Sequence, residues 1–507
     1  MESNSKIKIS AALILGLTII TGLFLISSCN NNSTGGNSSE FERDNNEITE
    51  NDNIEPIDET AATEQLRPDL PEVDYSGDPF TFLVKEWDTN GYWGAYDIYA
   101  ENENGEAIND AVYKRNRTIE SKLNINIEEV RNSNIGDLTK RSVLADDPAY
   151  DCVMPSFANA ASMASDGFLL SFNRLPYVNL NNPWWDQNAQ NLSIGGRLFF
   201  TAGDLGVMDK DSMFIVMFNK TVAQNSGIEN LYSLVRENKW TIDKFHSIIK
   251  EVSMDIDGDG IMSFDDLAGL ASSDFAINVL YYNTGETVTR KDPDDFPYLT
   301  MNSERGALAA EKAFEIITDK SATILANEMK GIANPWTDGI NKMFQEDRAL
   351  FLLAQITFIH RTRTMESDFG ILPSPKLDET QDRYYSSINP VASACIAVPV
   401  TVRDRDKTSV ILEAMTAESR YTLIPAYYDI TITNKMIRDE ESAEMLDIIL
   451  SSRVFDLGFI FDWGSLGNVP LSLYPRGGGF ISAYEKREPK AISDMEKTIE
   501  AFKEVNE

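Results

Sequence analysis

The densest run of potential ligand atoms in the chain is Asp255-Ile-Asp257-Gly-Asp259-Gly260-Ile261-Met262-Ser263-Phe-Asp265-Asp266. Carboxylates stand at loop positions 1, 3 and 5, glycine at 6, an apolar residue at 8 and an acid at 12, the order that wraps oxygen ligands round Ca2+. The expected ligand set is Asp255, Asp257, Asp259, Ile261, Ser263 and Asp266, holding a structural ion and taking no part in catalysis. Aspartate replaces the usual glutamate at position 12, so the last carboxylate reaches less far. The competing reading is an Asp/Gly-rich turn that holds no ion.

A second group of candidates is aromatic. Trp87, Tyr92, Trp93, Trp184, Trp185, Trp336, Tyr384, Tyr385, Tyr427, Tyr428 and Trp463 all fall in loop-like stretches. A sugar ring offers an apolar face of C–H groups and a rim of hydroxyls, so it pairs with a flat aromatic beside Asp, Asn or Gln. Trp beside Asp occurs at Trp87-Asp88, Trp185-Asp186 and Asp462-Trp463. These pairs nominate Trp87, Asp88, Trp185, Asp186 and Trp463 as ligand-binding residues, with Tyr385 and Asp204 beside them. Trp240 opens a helix and is expected to pack instead.

Catalytic constellations are sparse. The two histidines, His246 and His360, sit in no nucleophile-base or zinc-binding context. Gly477-Gly-Gly479 follows Arg476 but opens no helix that could cradle phosphate. A glycosidase needs only two carboxylates, so a two-carboxylate glycoside hydrolase stays open as an alternative. The expectation is a chain that is not an enzyme.

The elements that must position these residues alternate as in an α/β fold. Phe80–Val84 is an apolar strand, Ile108, Val112, Ile119 and Leu123 share one helical face, and Leu123–Val130 alternates as a second strand. That order predicts a βαβ unit with parallel strands. Tyr150–Pro155 is a third strand, and Phe157 and Asn159 follow its carboxyl end, where open sheets place ligands. Apolar runs continue at Arg197–Ala202, Ser212–Asn219, Ala349–Phe358 and Phe369–Leu372. Helical stretches are expected after Trp240, capped by Thr241 or Asp243, and at Glu304–Ile317, Asp338–Phe344, Asp406–Glu418, Glu440–Ser451 and Ala491–Val505.

The amino terminus reads as an export signal. Lys6 and Lys8 precede an uncharged apolar run from Ile9 to Ile26, then Ser27, Ser28 and Cys29. Leu25-Ile-Ser-Ser-Cys29 resembles the bacterial lipobox, which implies lipidation of Cys29 and anchoring to the cell membrane on its extracytoplasmic face; an uncleaved spanning helix is the competitor. Residues 30–75, rich in Asn, Ser, Gly and acids, read as a disordered acidic tether spanning on the order of 35 to 40 Å. The net charge of −35 disfavours nucleic acid and anionic lipid surfaces and leaves neutral ligands unpenalised. Cys152 and Cys395 are expected as two buried thiols, a disulfide between them being the alternative.

With these features in order, the sequence resembles the extracellular solute-binding proteins of bacterial ABC importers, the class that includes maltose- and oligosaccharide-binding proteins. The resemblance rests on the lipobox, on Val216-Met-Phe-Asn-Lys220, on Trp240-Thr-Ile-Asp-Lys-Phe245 followed by the Asp/Gly loop, and on Phe369-Gly-Ile-Leu-Pro-Ser-Pro375, and it covers nearly everything after residue 76. It implies a two-lobed periplasmic-binding-protein-like (type II) fold with hinge crossovers. Lobe 1 would be 76–205 plus 390–430, and lobe 2 would be 206–389 plus 431–507. Gln355 and Phe358 gain their place as ligand-binding candidates here, because a counterpart strand in the class reaches the cleft. The implied function is capture of a carbohydrate, an oligosaccharide first of all, by a monomer that hands it to an ABC permease's transmembrane subunits. A surface glycan sensor without transport shares every feature named, and a peptide or other polar solute suits a cleft of this kind as well.

Overall fold

The computed structural model describes residues 65–504, apart from 89–92, 363–364 and 433–439. The expected signal segment, Cys29 and the tether as far as residue 64 lie outside the described residues. From Leu66 onward the chain forms one folded unit. The tether expected to reach residue 75 stops short of it, because Leu70, Val73 and Tyr75 pack against a hydrophobic core. Arg67 Nη1 also donates to Glu418 (2.6 Å) and the Tyr75 N–H to the Leu123 carbonyl (3.0 Å).

Two five-stranded sheets organise the unit. The first runs in the order Ile125–Asn132, Asp78–Lys85, Cys152–Val153, Ile396–Ala397, Phe200–Thr201, with its first three strands parallel and Ile396–Ala397 antiparallel to both neighbours. The second runs Phe369–Leu372, Phe214–Asn219, Ala349–Gln355, Ala268–Ser272, Thr323–Leu325. Its last three strands are parallel, and Phe214–Asn219 is antiparallel to both neighbours. The chain therefore builds most of one lobe, crosses to build the second sheet, and returns at Ile396 to complete the first.

Local sequence explains these elements. The expected βαβ unit is Asp78–Lys85, helix Ala107–Leu123 and Ile125–Asn132; Ile108, Val112, Ile119 and Leu123 are buried, and Asn124 ends the helix in the left-handed conformation (φ 50°). Alternation in the first strand sends Phe80, Phe82 and Val84 into one core and Leu83 into the other. Thr241 caps the helix Ile242–Val252 through its Oγ1, and Trp240 is fully buried with its indole N–H on the Pro373 carbonyl (2.8 Å). Cys152 and Cys395 are buried free thiols, and burial pushes both thiol pKa values up.

Three expectations change. The Arg197–Ala202 run is a strand only at Phe200–Thr201. The helix expected at Asp338–Phe344 starts earlier as a wide turn, Pro335–Asn341, because Asn334 caps it and Pro335 presets its first residue. The stretch from 431, expected wholly in lobe 2, serves both lobes. Ser442 accepts from the Ile371 N–H of the second sheet (3.3 Å), and Phe459 packs on Tyr282 (4.2 Å). Phe455 and Phe502, however, pack on Phe157 (5.5 Å) and Phe199 (4.6 Å) beside the first sheet. Among the described residues no helix is long and apolar enough to cross a membrane.

Candidate ligand cleft

Parallel strands in both sheets end at one place. The first strand of lobe 1 runs into a loop whose base is closed by Ala95 N–H to the Lys85 carbonyl (2.8 Å) and Asp88 N–H to the Trp93 carbonyl (2.9 Å), so that Asp88 and Trp93 project beyond the sheet. In lobe 2, Ala268–Ser272 leads into Ser273 and Phe275, Thr323–Leu325 leads towards Asn334 and Trp336, and Ala349–Gln355 ends in Gln355 and Phe358. These residues line a cavity of about 340 Å3, together with Phe214 at the strand start paired with Gln355 and with Asn389 on the segment returning to lobe 1. Carboxyl ends of parallel strands are where open α/β sheets bind ligands.

Aromatic side chains from both lobes contribute to the walls: Trp93, Phe214, Phe275, Trp336 and Phe358. Trp336 rides on the wide turn, 43% exposed, and Asn334 Oδ1 fixes that turn by accepting the Thr337 N–H (3.3 Å). Phe214 and Phe275 lie 5.7 Å apart at 31° and form a floor. Trp87, 44% exposed, stacks on Tyr96 at 6.1 Å beside the cavity; a Cβ at position 94 would stand 2.5 Å from its ring, so Gly94 permits the packing. Polar groups are few: Asp88, Ser273, Asn334, Gln355 and Asn389.

The crossing segment is tied to lobe 1. Asp211 accepts from Tyr96 (2.5 Å) and Tyr427 (2.9 Å), and burial, with the Asp211 charge, pushes both phenol pKa values well up. Nearby, Arg453 meets Asp186 (2.5 Å) and Asp209 (2.6 Å), while Lys210 contacts Asp209 (3.2 Å).

The structure therefore brings together Asp88, Trp93, Trp336, Gln355 and Phe358 from the sequence candidates, with Trp87 next to Asp88 in the chain. It sends others elsewhere. Phe157 is fully buried against Phe200 and Phe455, because its helix turns that face into the core. Asn159 is exposed on the same helix, away from the cavity lining. Trp185, 2% exposed, donates its indole N–H to Glu413 (2.7 Å). Asp186 caps the turn Gln187–Leu192 and pairs with Arg453. Trp463, 3% exposed, stacks on Phe461 (5.0 Å) and donates to Thr498 (2.9 Å). Asp204 pairs with Arg420 (3.2 Å) in a different cavity; burial raises its pKa, against the pull of Lys210 and Arg420. Tyr385 lies under the Arg383 guanidinium (4.8 Å) and against Gly285. Missed by sequence reasoning were Phe214, Ser273, Phe275 and Asn389, which carry no motif, and Asn334, although Asn334-Pro335-Trp336 carries a helix-start signal.

At the Asp/Gly loop, carboxylate oxygens of Asp255, Asp257 and Asp259 lie within 4.8 Å of one another. Asp255 also accepts from the N–H of Gly258 (2.7 Å) and Gly260 (2.8 Å), and both glycines adopt positive φ. The Asp259 N–H pulls the Asp257 carboxyl down, but burial and the charges of Asp259, Asp266 and Asp255 outweigh it and raise its pKa. Asp266 differs. It is fully buried, and its oxygens accept from the N–H of Ile256 (2.8 Å) and Ser263 (2.7 Å), so it braces the loop from inside.

No protein-family model matches the chain, and no curated protein matches it by sequence. Solved structures do match. The galacto-N-biose/lacto-N-biose I-binding protein of an ABC transporter from Bifidobacterium longum, in complex with lacto-N-biose, has a TM-score of 0.55 at 12% identity, covering 84% of this chain and 98% of that one. An ABC substrate-binding protein of Listeria monocytogenes in complex with cycloalternan gives 0.53 at 12% identity, with 83% and 99% covered. UgpB from Mycobacterium tuberculosis in complex with glycerophosphocholine gives 0.55 at 12% identity, with 83% and 100% covered. The shared feature is the fold: two α/β lobes of the periplasmic-binding-protein kind.

Proposed function

We propose that this chain is the solute-capturing component of an ABC importer and that it binds a carbohydrate, an oligosaccharide first of all, between its lobes. One observation carries the reading: strand ends from both sheets deliver indoles and neutral hydrogen-bonding groups to a single cavity of about 340 Å3. Stacking on Trp93 and Trp336, with hydroxyls meeting Asp88, Asn334, Gln355 and Asn389, suits a sugar. Ligand touching both lobes favours the closed arrangement by its differential affinity. A glycosidase would use two carboxylates, and steady product release from a bound sugar would favour that reading over capture without turnover. Solved relatives of the fold bound to lacto-N-biose and cycloalternan add support. In this reading Cys29 carries the lipid, the protein works as a monomer on the extracytoplasmic face, and its partner is the permease's transmembrane subunits.

Calorimetry against an oligosaccharide panel tests this, and a panel with no binding member would sink it. For any sugar that binds, Trp336→Ala is expected to weaken affinity by about tenfold or more, about 1.4 kcal/mol. Trp463→Phe, remote from the cavity, is expected to leave affinity within about twofold.

Ca2+ in the Asp/Gly loop belongs to the same proposal. Three crowded carboxylates fit an oxygen-seeking cation, with the Ile261 carbonyl and Ser263 completing the set; Asp266 would join only by giving up a backbone N–H. Millimolar Ca2+ is expected to raise the melting temperature and a chelator to lower it, and Asp257→Asn is expected to remove the response. A melting curve indifferent to both additions would count against the ion.

A further inference from the structure

We propose, on the reading that the cleft binds sugar, that Asp88 makes it charge-selective, so that amine-bearing and neutral sugars are taken and acidic ones refused. Among the described residues lining the cavity, Asp88 is the one ionisable side chain, and none is lysine, arginine or histidine. The remaining hydrogen-bonding groups, Ser273, Asn334, Gln355 and Asn389, are neutral. Outside the lining, Arg420 pairs with Asp204, Arg453 with Asp186 and Asp209, and His360 stands 3.9 Å from Asp211, whereas Lys85 interacts with Asp88. Lys85, which ends the first strand, is held below its ordinary pKa by burial, and the charge opposing that shift is Asp88 itself.

A uronate or phosphate entering this space gives up its hydration and meets no cation among the described lining residues. Walls of Trp93, Trp336, Phe214, Phe275 and Phe358 lower the local dielectric, which strengthens its repulsion from Asp88. A protonated amine gains a charge-assisted hydrogen bond to the same carboxylate and favourable contact with the ring faces. Neutral sugars donate hydroxyls to it. The chain's overall charge of −35 acts in the same direction, but over distances that salt screens, whereas contact with Asp88 persists in high salt.

Calorimetry at pH 6 in about 0.5 M salt, where the Debye length falls to a few Å, separates the local effect from the global one. The probes are three matched disaccharide sets, linked α-1,4, β-1,4 and β-1,3. Each contains a neutral glucose disaccharide, its glucosamine counterpart and its glucuronic acid counterpart. Wherever a set binds, the expected order is amine tighter than neutral and neutral tighter than acid, with the acid weaker by about tenfold or more. Asp88→Asn is expected to collapse that order, bringing the acid and amine members to within about twofold of the neutral one whatever the change in its own affinity. An acidic member binding as tightly as its neutral counterpart, or an order that survives Asp88→Asn, overturns the selectivity and leaves sugar binding standing. Failure of all members of every set overturns both.

Discussion

Replacing Arg453 with methionine is expected to lower the stability of the folded unit by about 3 to 5 kcal/mol, measured as a fall in the urea midpoint. Its guanidinium bridges Asp186 and Asp209, and all three side chains are nearly enclosed. Burial alone would depress the Arg453 pKa; the charges of Asp186, Asp209 and Asp204 outweigh it and raise it instead. Methionine fills much of the space but leaves Asp186 a buried carboxylate without its cation. Asp209 keeps Lys210 at 3.2 Å, which places the loss nearer the lower figure. Lysine at 453 is expected to recover only part, because one ammonium cannot meet two carboxylates as a planar fork does. Arg236 supplies the contrast. It reaches Glu441 (2.7 Å) and Glu444 (2.5 Å) with equally good geometry on the open surface, so Arg236→Met is expected to move the midpoint far less. Equal shifts for the two variants would mean that enclosure is not what gives the Arg453 cluster its weight.

That cluster also has a place in the fold. Arg453–Val454 pairs in parallel with Ser386–Ser387, just before the chain returns to the first sheet, and Asp209 lies on the outward crossing. Arg453 thus ties together three passages of the chain between the sheets. No local signal marks it, because Asp209 is 244 residues away along the chain and Asp186 is farther still.

What the sequence did reveal is local periodicity and strand ends. Four apolar positions at helical spacing were enough for Ala107–Leu123, and the apolar run Phe80–Val84 was enough for its strand. The pairing of Trp with Asp led to Asp88, which stands directly after the first strand, where the rule that ligands gather beyond the carboxyl ends of parallel strands also applies. The same rule applied after Cys152–Val153 points to Phe157, whose helix instead turns it into the core. Of the three pairs of Trp with Asp, two lie away from the cavity for a different reason. An indole in a loop can either face a ligand or satisfy its N–H inside the protein, and adjacency does not distinguish them. Trp185 and Trp463 found internal acceptors in Glu413 and Thr498, whereas Trp336 is lifted outward by a turn capped at Asn334.

Glu413 is where that internal choice can be tested. Buried on helix Arg405–Tyr421, it accepts four hydrogen bonds: from the indoles of Trp185 (2.7 Å) and Trp184 (3.1 Å), the Asn182 amide (2.6 Å) and the Asn179 backbone (3.2 Å). Glu413→Ala is expected to cost about 3 kcal/mol at neutral pH, since water entering the adjacent groove can satisfy some but not all of the orphaned donors. The pH dependence fixes the balance of forces. Burial raises the Glu413 pKa, and the donation from Trp185, Asn182, Asn179 and Trp184 only partly reverses that shift. A folded-state pKa above the unfolded value means the native protein holds the proton more tightly. The titratable part of Glu413's contribution is therefore complete below the unfolded carboxylate range and is lost as pH rises through the raised value. The penalty for Glu413→Ala should accordingly be larger in acid than at neutrality when unfolding curves are compared across pH. A penalty that grows as pH rises would show that the four donors outweigh burial, and that the pair of tryptophans is held by an ionised carboxylate at no net electrostatic cost.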